Sequence, residues 1–143
     1  MKVSDNFDIR EFVSKATYER NGDDSVKLID SKIIQLAEFL RKYFGAAVTI
    51  NNWHTGGNFQ NRGFRDFDSS VGGQTSMHRQ GKAFDCNIKG FTIAELHKAI
   101  LKDQITFYNA GLRRIESLED APTWLHCDIK ETGLKNQIQV FKV

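Results

Sequence analysis

The residues of this chain whose types and spacing suggest chemistry begin with the stretch SMHRQGKAFD, residues 76–85. It places His78 and Asp85 seven positions apart, and Gly81 between them has the backbone freedom to fold the histidine back over the aspartate. One interpretation makes the pair two ligands of one metal ion. The other is a surface turn leading into a strand, in which His78 bonds to backbone and Asp85 caps the strand end.

A third candidate ligand comes from the strand-like stretch TWLHCDIK, residues 123–130. Alternation with a period of two puts His126 and Asp128 on one face beside a tryptophan, and it leaves the apolar residues for the opposite face. KAFDCNI, residues 82–88, alternates in the same way, with Asp85 on its polar face. If the two strands are neighbours, Asp85 and His126 point into the same cleft.

Two imidazoles and one carboxylate are a common ligand set for catalytic zinc, with a fourth position left for water. The helical HExxH pattern is absent, so spacing alone leaves both a metal site and a plain surface open. His97 lies in a helical pattern beside apolar residues, which favours a structural histidine. His54 lies in a polar loop next to Trp53, where it either lines a cleft or has no special role.

Length and composition indicate one globular domain, residues 1–143, with a hydrophobic core. The net charge of +2 and the scattered basic residues argue against nucleic-acid binding. No apolar run approaches the length of a membrane span. The start, MKVSDNFDIREF, lacks the apolar region of a signal peptide, so we expect synthesis in the cytoplasm. Cys86 and Cys127 are interpreted as buried thiols in a reduced compartment.

The elements that must position these residues indicate an α+β fold, a mostly antiparallel sheet with flanking helices. Residues 30–45 predict a helix with Asp30 as cap and Gly45 as stop. A second helix is predicted at 92–102, with a capping box at its start. The glycine-rich stretch 51–73 is a long polar loop, and such loops are often functional. Strands are predicted at 46–51, 82–88, 112–116, 123–130 and 137–143.

SMHRQGKAFD also matches the S-x-H-x-x-G-x-A-x-D signature of the zinc D,D-carboxypeptidase and Hedgehog-type metallopeptidase superfamily. TWLHCD resembles its second, W-x-H-containing strand, and the resemblance covers roughly residues 30 to 130. The first motif fixes five positions, which are Ser76, His78, Gly81, Ala83 and Asp85. The resemblance implies the fold of that superfamily, with His78, Asp85 and His126 as ligands of Zn²⁺. It also implies substrates among the D-amino-acid-containing peptides of bacterial cell walls.

Two positions depart from the family pattern. Many members carry an acidic general base three residues before the last histidine, where this chain has Thr123. Asp120 and Glu116 are the candidate replacements, and Asp120 requires its loop to fold inward. The family often has an arginine soon after the first strand, where NNWHTGG stands here. We expect Arg65, rather than Arg62, to stabilise the oxyanion or hold a substrate carboxylate.

The resemblance therefore implies a zinc-dependent peptidase of peptidoglycan stem peptides, either a carboxypeptidase or an endolysin-type endopeptidase. The chain is most similar to the phage type, and we expect a monomer that acts on the cell wall after release. Asp128 is expected to orient His126, and Trp53 and Trp124 to form either cleft walls or core. One rival is a catalytically silent zinc-bearing binding or structural module, favoured by Thr123. The other is an α+β binding domain without metal.

Overall fold

The computed structural model describes residues 1–67, 69–70 and 76–143. The described α-helices are α1 (Lys15–Asn21), α2 (Ser31–Phe44), α3 (Ile93–Lys102) and α4 (Gln104–Asn109). The described strands are β1 (Val48–Thr49), β2 (Ala83–Ile88), β3 (Arg114–Glu116), β4 (Leu125–Asp128) and β5 (Gln139–Phe141). Short 3₁₀ helices occupy Ile9–Glu11, Gly22–Leu28, Trp53–Thr55 and Met77–Gln80.

The two predicted helices form with the predicted caps. The Asp30 side chain accepts a hydrogen bond from the backbone of the second residue of α2, and Gly45 ends the helix in the left-handed conformation at φ +61°. At the start of α3, Thr92 and Glu95 exchange the two hydrogen bonds of a capping box. The short helices α1 and α4 were not predicted, because each is too brief to show a helical apolar period.

The sheet has the strand order β1-β2-β4-β3-β5 within the described residues. Neighbouring strands run antiparallel except β3 and β5, which are parallel. The predicted mostly antiparallel α+β class is therefore confirmed. In the central pair, Asp85 on β2 lies directly opposite His126 on β4.

One face of the sheet forms the core together with α2 and α3. Alternate residues of β2, β3 and β4 point into this core and are fully buried, among them Phe84, Ile115 and Leu125. The two cysteines, Cys86 and Cys127, are also buried there as free thiols, as predicted. Because side chains alternate along a strand, the residues between these apolar positions must point to the other face.

The polar loop after β1 returns along the edge of β2. The backbone of Asp85 donates to the carbonyl of Arg62 at 2.7 Å, and the backbone of Phe64 donates to the carbonyl of Phe12 at 2.7 Å. A Cβ at Gly63 would lie 2.2 Å from that Phe12 oxygen, so only glycine permits this approach. Part of the predicted loop, residues 68 and 71–73, lies outside the described residues.

In the part of the chain that the structure describes, no helix combines the length and the apolarity needed to cross a membrane.

Candidate metal centre

Three side chains that can each offer one ligand atom to a metal ion meet on the polar face of the sheet. Asp85 Oδ1 lies 2.9 Å from His126 Nδ1 and 3.3 Å from His78 Nε2. One ligand atom from each residue lies within 4.8 Å of the other two, and all three side chains are buried. We call His78, Asp85 and His126 the metal cluster. The prediction that these residues converge is confirmed.

His78 reaches the cluster from a 3₁₀ turn, not from a strand. The Ser76 hydroxyl accepts a hydrogen bond from the backbone of His78 and caps this turn. Gly81 ends the turn at φ +68°, and a Cβ there would lie 2.0 Å from the Leu28 carbonyl oxygen. Only glycine therefore combines this backbone conformation with this close approach. Ser76, which caps the turn, and Gly81, which ends it, are two of the five positions that the motif fixes.

Each ligand is held from behind by a second group, which leaves its ligand atom facing the cluster. His78 Nδ1 donates to the carbonyl oxygen of Gly63 at 2.8 Å, so its Nε2 is the ring nitrogen that faces Asp85. His126 Nε2 contacts Asp128 Oδ2 at 2.8 Å. Asp85 Oδ2 accepts from Arg65 Nη2 at 3.2 Å. Such supporting hydrogen bonds fix the ring orientation of histidine ligands in metal proteins.

Asp128 is itself held by a charged partner beneath the cluster. It is fully buried, and the Arg114 guanidinium donates to both of its carboxylate oxygens, at 2.8 Å to 3.1 Å. Arg114 also stacks on the Phe141 ring, 3.9 Å from its centroid. Burial opposes the charge of Asp128, but the hydrogen bonds from His126 and Arg114 outweigh it and lower the pKa of Asp128. The expectation that Asp128 orients His126 agrees with this geometry.

The buried groups of the cluster shift one another's pKa values. Burial would raise the pKa of Asp85, but the charge of His78 and the hydrogen bonds from both histidines hold it below its usual range. Burial would lower the pKa of His126, but the hydrogen bonds to Asp128 and Asp85 raise it to about 9. The two buried carboxylates beside His126 thus favour its protonated form.

The cluster lies in a cavity of about 460 Å³, which we call the site cavity. Its walls are formed by Arg65, Ser76, Met77, His78, Asp85, Arg114, Glu116, Trp124, His126, Lys130, Phe141 and Val143. Among the described residues of this wall, Glu116 is the acidic side chain outside the metal cluster. Continuing the β3–β4 register, in which Arg114 pairs with Asp128, brings Glu116 alongside His126. Burial, the largest influence, raises the pKa of Glu116, and Asp85 adds to the rise.

The two sequence candidates for a general base lie in different places. Glu116 lines the site cavity, and within the described chain its carboxylate has no hydrogen bond or ion pair. The structure does not bring Asp120 to the cavity wall. Its carboxylate accepts hydrogen bonds from the Ser117 hydroxyl at 3.0 Å and from the backbone of Val143 at 2.8 Å. Asp120 thus holds Val143, which follows β5 and lines the cavity.

Of the candidate arginines and tryptophans, one of each lines the cavity and the other does not. Arg65 is in the cavity wall, whereas Arg62 stacks on Phe59 and donates to Asn87. Trp124 is a wall residue, and Trp53 instead donates its indole N–H to the Val13 carbonyl.

The other two histidines stay outside the cavity wall. His97 is buried in α3, as the structural interpretation requires, and burial lowers its pKa. Burial likewise lowers the pKa of His54.

Two supporting groups were missed by sequence reasoning. The Gly63 carbonyl carries no sequence signal, since its role depends on the path of a loop. Arg114 did carry one, because the alternation in LRRIE puts it on the same strand face as Glu116.

Two imidazole nitrogens and one carboxylate oxygen, buried and individually oriented, are a donor set that can bind a divalent metal ion. Ligands at about 2.0–2.1 Å from a tetrahedral zinc ion are separated by about 3.3–3.5 Å. The contact of Asp85 Oδ1 with His78 Nε2, at 3.3 Å, matches that separation, whereas its 2.9 Å contact with His126 Nδ1 is a hydrogen bond and is shorter.

Comparison of the chain with protein-family models, with curated proteins and with solved structures finds no match.

Proposed function

We propose that this chain is a zinc-dependent peptidase that hydrolyses the stem peptides of bacterial peptidoglycan. The observation that carries the proposal is the shared cavity: three oriented metal ligands and one unpaired carboxylate, Glu116, line the same space. The choice of peptidoglycan rests on the resemblance of SMHRQGKAFD and TWLHCD to the zinc D,D-carboxypeptidase superfamily.

His78, Asp85 and His126 would hold the zinc ion. When bound, zinc supplies polarisation of the scissile carbonyl and acidification of a water molecule. The protein's part is to hold the ligands: the Gly63 carbonyl and Asp128 keep both imidazoles in the tautomer that a metal needs.

Glu116 is the proposed general base. Glu116 lines the cavity beside the metal cluster, and burial raises its pKa, as is common for a carboxylate that takes and returns a proton. In this role it accepts a proton from the attacking water and delivers it to the nitrogen of the leaving amine. In this proposal the acid comes from β3 instead of the segment before His126, where this chain has Thr123.

Arg65 keeps a positive charge at the cavity wall. Its Nη2 donates to Asp85 and its Nε donates to the Asn61 carbonyl at 2.8 Å, so the guanidinium is fixed in place. A fixed cation there both orients Asp85 and favours the negative charge that develops on the carbonyl oxygen during attack.

The second candidate function is a zinc-bearing binding module without turnover. Thr123 favours it, since the acid that many family members carry three residues before the last histidine is missing. The two functions share the metal cluster and differ only in whether Glu116 acts on a water molecule.

The test measures metal content and peptide hydrolysis together. Purified wild type is expected to bind about one zinc ion per chain and to release new amines from purified peptidoglycan in a zinc-dependent reaction. His78→Ala is expected to lose both, while His54→Ala, which removes a histidine outside the cavity wall, keeps both. Zinc without hydrolysis on several wall types would favour the binding module, and no zinc at all would remove both.

A further inference from the structure

The imidazole of His126 contacts an aromatic ring as well as two carboxylates. Its Nδ1 contacts Asp85 at 2.9 Å and its Nε2 contacts Asp128 at 2.8 Å. The ring of Phe141, on β5, lies edge-to-face against it, with the ring centroids 5.4 Å apart and the ring planes at 77°. Aromatic pairs prefer this arrangement. Phe141 therefore supports a candidate metal ligand from a strand outside the β2–β4 pair.

The two carboxylates leave the tilt of the imidazole open. A small rotation about the line that joins the two ring nitrogens keeps both nitrogens in place and moves the ring carbons. A packed neighbour such as the Phe141 ring opposes that rotation. In addition, Nδ1 cannot donate to Asp85 and bind an ion at the same time. With an ion bound, the orientation of His126 would therefore depend on Asp128 and on the ring contacts.

Arg114 connects Phe141 to the other support of His126. Its guanidinium carbon lies 3.9 Å from the centroid of the Phe141 ring, which is a cation–π contact. The same guanidinium donates to Asp128 Oδ1 at 3.0 Å and to Asp128 Oδ2 at 2.8 Å. The contacts therefore form a closed cycle, from Arg114 to Asp128, to His126, to Phe141 and back to Arg114.

Strand pairing fixes the position from which the Phe141 ring projects. Phe141 pairs with Glu116 in the parallel β3–β5 ladder, and its carbonyl accepts from the backbone of Ser117 at 2.9 Å. Val140 alternates with Phe141 and points to the opposite face, where its side chain is 42% exposed. Ile138, on that same face, is buried in the core. Substitutions at Val140 and Ile138 therefore change this segment on the face away from the metal cluster.

We propose that Phe141 is a positioning residue for the metal cluster: its ring, held by Arg114, sets the tilt of the His126 imidazole. This inference rests on the metal cluster of the proposed function, and it is independent of peptide hydrolysis. Phe141 offers no ligand atom of its own, so its loss lowers metal affinity without removing a ligand. Because coupling between two sites is reciprocal, metal binding in turn stabilises the docked position of β5.

The experiment measures metal binding by the full chain with substitutions confined to this segment. Phe141→Leu and Phe141→Met both keep an apolar side chain and remove the ring, so one misfolded variant does not decide the result. Phe141→Tyr keeps the ring. Val140→Ala and Ile138→Ala are the matched controls, because they weaken the same segment from the opposite face. Circular dichroism checks that each variant is folded.

Three measurements are made on each folded variant. Competition with a chromogenic chelator gives the zinc affinity. The visible absorption of bound Co²⁺ reports the geometry of the ligands. Amide hydrogen exchange with and without zinc reports the opening of β5.

Phe141→Leu and Phe141→Met should lower zinc affinity by about tenfold, as is typical when a group that supports a ligand is lost. Both should also change the Co²⁺ spectrum, and Phe141→Tyr should restore affinity and spectrum. Val140→Ala and Ile138→Ala should lower the stability of the metal-free chain but keep the zinc affinity and the spectrum of wild type. Zinc should slow amide exchange in β5 of wild type, and it should do so less in Phe141→Leu.

The outcomes separate this role from the peptidase function. Wild-type zinc affinity in both ringless variants overturns the proposal, and so does an equal loss of affinity in Ile138→Ala, which would indicate general loosening of β5. A loss that is confined to the ringless variants and rescued by Phe141→Tyr supports the proposal. If wild type then cleaves no peptidoglycan, the positioning role stands and the peptidase is removed. A wild type that binds neither zinc nor Co²⁺ overturns both.

Discussion

The two faces of the β2–β4 pair are built from alternate residues of the same short strands, yet they have opposite chemistry. Phe84 and Leu125 point into the core and are fully buried among apolar neighbours. Asp85 and His126, each one residue further along, point into the site cavity and contact each other at 2.9 Å. The two faces therefore share one backbone register and cannot be positioned independently.

A small domain can therefore use the strands of its core to orient two residues of a buried polar cluster. Burial of the apolar face fixes the register, because a slip by one residue would turn every core side chain toward the cavity. The same register places Asp85 opposite His126. Orientation of the polar face is then completed by local hydrogen bonds, which the apolar face does not need.

The first prediction has the largest expected effect. It distinguishes the residues that would bind the metal from the residue that would act on water. Glu116→Gln should reduce turnover by about 10²–10⁴-fold, because an amide cannot accept the proton of water. Zinc content should stay near wild type, since Glu116 is outside the metal cluster. Asp120→Asn is the matched control, and it should retain turnover because Asp120 is outside the cavity wall. Steady-state peptide hydrolysis and metal analysis check both variants, and the reverse pattern would assign the base to Asp120.

The second prediction concerns a substitution on the apolar face only. Leu125→Ala removes a fully buried side chain next to His126 and should lower the free energy of unfolding by about 2–5 kcal/mol. Leu118→Ala truncates a leucine that is 40% exposed and should cost about 0.5 kcal/mol or less. Denaturant unfolding of the metal-free proteins measures both. Equal losses in the two variants would contradict the assignment of the core.

Much of this arrangement could be predicted from the sequence because it depends on periodicity. Alternation in KAFDCNI and TWLHCDIK predicted which residues share a face, and the caps Asp30 and Thr92 predicted where α2 and α3 begin. The motif around Gly81 predicted that His78 folds back over Asp85. Each of these signals is local, so a single sequence contains it.

The rest depends on contacts between distant segments, which no local pattern encodes. The Gly63 carbonyl supports His78 only because its loop returns along Phe12. Asp120 is kept from the cavity wall because it bonds the backbone of Val143, 23 residues away. The parallel pairing of β3 with β5 brings Val143 near Asp120, and strand periodicity does not predict which strands pair. The sequence alone therefore could not choose Glu116 over Asp120 as the general base.

The third prediction weakens the hydrogen bond by which Asp128 supports His126. Asp128→Asn keeps the shape of the side chain but removes the negative charge shared by His126 and Arg114. Zinc affinity should fall by about 10–100-fold, as is typical when a group that supports a histidine ligand is lost. Competition with a chromogenic chelator measures this change. Glu131→Gln, at an exposed carboxylate paired with Arg113, is the control and should bind zinc like wild type.

The smallest expected step, about tenfold for each pH unit, concerns the proton on His126. Because the pKa of His126 is raised to about 9, metal binding near neutral pH must displace that proton. Zinc affinity should therefore rise about tenfold for each pH unit from 6 to 8, since one proton is released per ion. The dependence should flatten only as the pH approaches the pKa of His126. Calorimetry in buffers of different ionisation enthalpy counts the released protons. An affinity independent of pH in this range would mean that His126 is neutral before the ion arrives, and that Asp85 and Asp128 do not stabilise its charged form.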